Sequence, residues 1–159
     1  MRAQRRYVVL VAALAAAAGL GAGLWLALGG GAAKEPARKE YLARVSSVCL
    51  TYARRLERIP APSDPAAYGD VISSVEQVLP LLRAQAAAMQ AVPPPATLEP
   101  RLERLFGLDR RSVAVLRPAL AAARRRDAGG VATGLLRFSS ARDQVHRLAI
   151  AIGIDCTVT

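Results

Sequence analysis

Apolar and polar positions follow two different rhythms along this chain. From Tyr7 to Leu28 no side chain is charged or strongly polar. As a helix these roughly 22 residues would span about 33 Å, enough to cross the hydrocarbon core of a bilayer. From about Arg38 onward the apolar residues recur instead at spacings of three and four, the period of helices with one buried face. The first such helix is predicted from about Arg38 to Arg58, with Tyr41, Val45, Val48, Cys49, Tyr52 and Leu56 on one face and Pro60 and Pro62 ending it.

The second helix carries the most regular stripe, Tyr68, Ile72, Val75, Leu79, Leu82, Ala86 and Met89. Ser63 or Asp64 is its expected cap, Pro65 falls in its first turn, and Pro80 inside it predicts a bend. Pro93, Pro94 and Pro95 stop it. Thr97 is expected to cap a third helix that has Pro100 in its first turn, runs through Leu102, Leu105, Leu116, Leu120 and Ala123, and kinks at Pro118. Arg124, Arg125 and Arg126 suit the negative end of its dipole. Asp127 then caps a fourth helix whose inner face reads Val131, Leu135, Phe138, Val145, Ala149 and Ile152.

The expected fold is all-α, a transmembrane helix followed by an up-down-up-down four-helix bundle closed by one disulfide. Residues 1–6 form a basic tail, 7–28 the anchor, 29–37 a flexible linker and 38–159 the bundle. Arg2, Arg5 and Arg6 ahead of the apolar run place the N-terminus in the cytoplasm and the bundle outside, although Lys34, Arg38 and Lys39 follow closely on the other side. Cleavage as a signal peptide is the alternative, with Gly31 and Ala33 at the small-residue positions, and would leave a secreted protein; the length of the apolar run favours an uncleaved anchor. Ala15, Gly19, Gly23 and Ala27 have the spacing that permits a weak homodimer through the membrane helix, a spacing that Ala-rich composition also produces by itself.

Composition sharpens this picture. Hydrophobic residues make up 53% but aromatics only 4%, so the core must be built from Ala, Leu and Val, which suits closely packed helices. The net charge is +10, and all but two of the 22 basic residues are Arg. Joint richness in Arg and Ala fits drift in a high-GC genome and discounts the charge as a sign of nucleic-acid binding. The soluble part, with 19 basic and 12 acidic side chains, still carries +7 and points to an anionic membrane surface or an envelope protein as partner.

Candidate chemistry is sparse. Cys49 and Cys156, alone in an extracytoplasmic domain on helices that can be neighbours, are expected to pair; closing a loop of about 106 residues is worth ~4–5 kcal/mol in the chain-entropy model. They lack the close spacing of a redox pair. His146 is the single histidine, which excludes His-rich metal sites. If the third and fourth helices form a hairpin turning near Asp127, Asp109 and Ser112 fall level with Arg142 and His146, a polar or recognition cluster in which an inward Asp faces an inward Arg. Met89 and His146 would be the ligand pair of the alternative reading, a ligand- or haem-binding bundle, but so Ala-rich a core offers few large apolar walls. Gly129 and Gly130 lack the strand and lysine of a phosphate loop. Glu40, Glu57, Glu76, Glu99 and Glu103 fall mostly on polar faces, so no catalytic residues, metal or cofactor are assigned, and an enzyme with an unrecognised site stands as the last alternative.

Cys49 in a first helix, Pro60-Ala61-Pro62 after it, Val92-Pro93-Pro94-Pro95 before a third, and Gly153-Ile154-Asp155-Cys156 at the end together resemble exported or membrane-anchored helical proteins of high-GC actinobacteria, over roughly Tyr41 to Cys156. The resemblance rests on structural punctuation and implies no activity. The expected function is therefore a membrane-anchored, non-enzymatic helical module of the cell envelope.

Overall fold

The computed structural model describes residues 34–157, and these form four helices and no strand: α1 (Lys34–Leu56), α2 (Tyr68–Gln90), α3 (Glu99–Arg124) and α4 (Ala128–Ile152). The segment 7–28, its flanking tail and most of the expected linker lie outside the described residues. No described helix is long and apolar enough to cross a membrane.

Each helix packs on the one before it, α3 against α4 most extensively. The α3–α4 pair is antiparallel: an added Cβ on Gly134 would lie 2.6 Å from Ala119 Cβ, one on Gly130 would lie 2.8 Å from Ala122 Cβ, and Asp109 meets Arg142 farther along. Gly130 and Gly134, four residues apart on one face of α4, let the two backbones approach this closely.

Both ends of that hairpin close with the same backbone motif. After α4 the N–H of Ile154 donates to Ala149 O at 2.9 Å and that of Gly153 to Ile150 O at 2.9 Å, with Gly153 at φ 100°. This is the Schellman arrangement, which satisfies the last carbonyls through one left-handed residue. After α3 the N–H of Asp127 bonds Ala122 O and that of Arg126 bonds Ala123 O, so the left-handed position falls on Arg126, at φ 57°. A side chain there costs what glycine does not. Arg126→Gly is therefore expected to stabilise the fold by about 0.5–1 kcal/mol, measurable as a rise in melting temperature.

Asp127 does cap α4, its carboxylate accepting from Gly130 N at 2.8 Å. The other expected caps are corrected. α2 begins at Tyr68, later than Pro65, because Asp64 spends its carboxylate on Ala66 N (2.7 Å) in a separate turn, leaving Ala67 at the cap position without a side-chain bond. Leu98 rather than Thr97 sits at the start of α3 and is buried, so apolar contact fixes that entry. α1 starts at Lys34, four residues before Arg38 and inside the expected linker; Pro36 is tolerated in its first turn, where its missing N–H has no helical partner to lose. Pro80 and Pro118 both lie inside continuous helices, on exposed positions.

The core has two parts. At one end Tyr41, Val45, Cys49, Met89, Leu98, Leu102, Leu105, Val145, Ala149, Ile152 and Ile154 pack together. At the other, Val71, Val75, Leu79, Leu82, Val113, Leu116, Ala122, Ala123 and Val131 do. The buried line of α2 runs Val71, Ser74, Val75, Leu79, Leu82, Gln85, Met89, so the expected stripe is rotated: Tyr68, Ile72 and Ala86 are only half-buried, while two polar residues go inside. Ser74 satisfies its hydroxyl on Pro60 O, in the loop between α1 and α2. Burial raises the pKa of the Tyr41 hydroxyl above its ordinary value.

α1 and α4 do not come into close backbone contact. The segment after α4 closes this seam. Gly153 lies against Leu42, Asp155 N–H donates to Ser46 Oγ at 3.0 Å, and Cys156 is bonded to Cys49, with Cα atoms 5.3 Å apart. Contacts at 42, 46 and 49 in turn show that the chain reverses at Gly153 and runs back along α1. Ile154, 1% exposed, is pressed into the core between those points.

Candidate functional site

The two halves of the core meet at a polar level. Along α2 the switch falls at Gln85, along α3 at Asp109 to Ser112, and along α4 at Arg142. Gln85, 6% exposed, donates its amide N–H to Cys49 Sγ at 3.1 Å. The Arg142 guanidinium donates to the Asp109 carboxylate, with 25% and 13% of the respective side-chain surfaces exposed. Ser112 is fully buried, and its hydroxyl donates to the Asp109 carbonyl at 2.8 Å, one turn back on its own helix. Among the described residues no buried side-chain nitrogen or oxygen lacks a partner.

Asp109 and Arg142 thus come together through the register that the Asp127 turn imposes, while Ser112 is tied only to the Asp109 backbone on its own helix. His146 does not join them. It is half-buried one turn further along α4, where its charge acts on Asp155 in the returning tail. The Asp155 carboxyl is held below its ordinary value chiefly by the Thr157 hydroxyl (2.6 Å), then by Thr157 N–H (2.9 Å), with His146 adding a smaller effect. A carboxyl whose folded pKa lies below its unfolded value contributes stability that is fully present above about pH 4 and is lost as pH falls through the folded pKa. Acid should accordingly loosen the tail first. The protection of the Thr157 amide, its exchange rate relative to that of an unstructured peptide at the same pH, is expected to fall below about pH 4, and Asp155→Asn to remove that acid dependence.

Met89 is buried at the same end of the bundle as Val145 and Ala149. No three His, Cys, Asp or Glu side chains among the described residues are grouped as a metal site would require.

Beside the polar level a groove of about 350 Å³ opens between α2 and α3. Leu82, Ala86, Ala87, Val113 and Ala114 supply its apolar lining, and Arg83, Arg110 and Arg117 its charge, with Gln90 and Asp109 at one end. None of these three arginines pairs with a carboxylate among the described residues, whereas Asp109 is occupied by Arg142. These arginines and Gln85 lie outside the cluster to which sequence reasoning points. A signal for the arginines is present all the same: Arg110, Arg117 and Arg124 recur every seven residues on α3, as do Glu76, Arg83 and Gln90 on α2, so each set forms one stripe. Gln85 carries no such signal, because a lone polar residue in an Ala-rich helix is placed only by its neighbours.

No family model, no curated protein and no solved structure matches this chain.

Proposed function

We propose that the chain is a non-enzymatic module of the cell envelope: residues 7–28 span the membrane, and residues 38–159, an up-down-up-down bundle, sit on its outer side and dock on the anionic membrane surface. The observation that supports this reading best is the state of α3. It carries six arginines, Arg101, Arg104, Arg110, Arg111, Arg117 and Arg124, and among the described residues only Arg124 of these has a carboxylate partner, Glu76 at 2.8 Å. Unpaired arginine near anionic lipid contributes about 1 kcal/mol per side chain at low salt. The disulfide agrees with an oxidising compartment.

Because residues 34–157 bury a core of their own, a chain beginning at Lys34 should be helical and melt cooperatively. Once circular dichroism confirms this, it should pellet with phosphatidylglycerol-containing vesicles at low salt, be released by about 0.5 M salt, and ignore phosphatidylcholine vesicles. Equal behaviour on both vesicle types would refute docking by charge.

A further inference from the structure

Across the α2–α3 seam, one ion pair sets the register. Met89 at the end of α2 packs with Leu98 and Leu102 at the start of α3, and Val71 at the start of α2 with Ala122 and Ala123 at the end of α3, so the two helices are antiparallel. Glu76 meets Arg124, and moving seven residues along each brings Arg83 opposite Arg117, and seven more brings Gln90 opposite Arg110. Arg83, Gln90, Arg110 and Arg117 all line the groove, as this register requires. The seam is therefore complementary at its first step and like-charged at its second. Two guanidinium groups facing one another without a carboxylate repel. A glutamate at either position would have continued the pattern that Glu76 and Arg124 begin. Asp109 does not relieve the repulsion, since it is eight residues, about 12 Å, along α3 from Arg117 and already accepts from Arg142.

We propose that the Arg83–Arg117 step is the binding site for the phosphate group of an amphiphile, whose apolar chain lies on Leu82, Ala86, Val113 and Ala114. Guanidinium groups present paired N–H donors that match phosphate oxygens two at a time, so two opposed arginines hold one phosphate from both sides, with Arg110 adding charge from the next step. The apolar floor makes the occupant an amphiphile, because a free inorganic anion would leave it wet. The site rests on the reading of this flank as anion-facing and gives it a specific ligand chemistry.

The test uses the full chain in neutral detergent, titrated with dihexanoyl phosphatidic acid and, separately, with inorganic phosphate, following the Nε–Hε resonances of Arg83 and Arg117. Saturable shifts of both are expected, with the lipid at least tenfold tighter than inorganic phosphate. Arg83→Glu should weaken lipid binding at least tenfold while melting at or above the temperature of the unaltered protein, since the introduced carboxylate then pairs with Arg117. Arg137→Glu, the same charge change on an exposed position of α4, should leave binding within twofold. The proposal is overturned if neither titrant saturates, if both bind equally, or if Arg137→Glu weakens binding as much as Arg83→Glu does. Vesicle pelleting that persists in Arg83→Glu, alongside failed titrations, would sink this site and leave surface docking standing. Saturable lipid binding by a protein that ignores anionic vesicles would do the reverse.

Discussion

Cys156→Ala is expected to destabilise the fold by about 2–5 kcal/mol, a fall in melting temperature of roughly 10–20 °C for a domain of this size. The bond joins positions 107 apart, so it restrains nearly the whole of the described chain in the unfolded state. It also does local work. With α1 and α4 not in close backbone contact, the segment 153–156 is what covers their seam, and the bond pins it so that Ile154 stays in the core. Cys49→Ala should cost more than Cys156→Ala, because Cys49 is 5% exposed and its removal leaves both a small void and the Gln85 amide without its acceptor. Chemical denaturation with and without reductant measures the effect on the unaltered protein. A reductant-insensitive midpoint would mean that Ser46 and the burial of Ile154 hold the tail unaided.

Asp109→Ala is expected to cost about 1–3 kcal/mol, below the 3–5 kcal/mol typical of fully buried pairs because a quarter of the Arg142 side-chain surface remains exposed. The loss comes less from the attraction forgone than from leaving a half-buried guanidinium without its counter-charge. The double variant Asp109→Ala with Arg142→Leu should therefore recover part of it. A thermal melt of the four proteins in that cycle decides the matter, and independent, additive effects would show that the two charges are not coupled. If the double variant folds and still binds phosphatidic acid, the pair is structural. Loss of binding in a folded double variant would make it part of the groove's recognition surface.

Much of this architecture was legible in the order of residues. The four helices, the proline-marked breaks and the Asp127 cap follow from local chemistry, since proline cannot continue a helix and an aspartate three residues ahead of a free N–H accepts from it. The Cys49–Cys156 pairing follows from number, since the chain has two cysteines and they have only each other. The Asp109–Arg142 contact was within reach for a related reason, since a tight turn at Asp127 converts sequence distance into register along both arms of a hairpin.

What the tertiary structure decided is rotation, and what faces what across longer connections. In α2, Val71 and Ile72 are adjacent and equally apolar, and Ala84, Ala86, Ala87 and Ala88 surround Gln85 with small side chains, so nothing local distinguishes the stripe through Ile72 and Ala86 from the one through Val71 and Gln85. The neighbours chose the second, because Cys49 and Pro60 offered acceptors to Gln85 and Ser74. The helix start at Tyr68 was set by the separate turn that occupies the Asp64 carboxylate, and that at Glu99 by the buried Leu98, against nearby side chains that could have capped them. The opposition of Arg83 and Arg117 depends on a register fixed 48 residues apart by Glu76 and Arg124. Sequence spacing alone orders residues along one helix; only packing says which stripe of the next helix stands across from it.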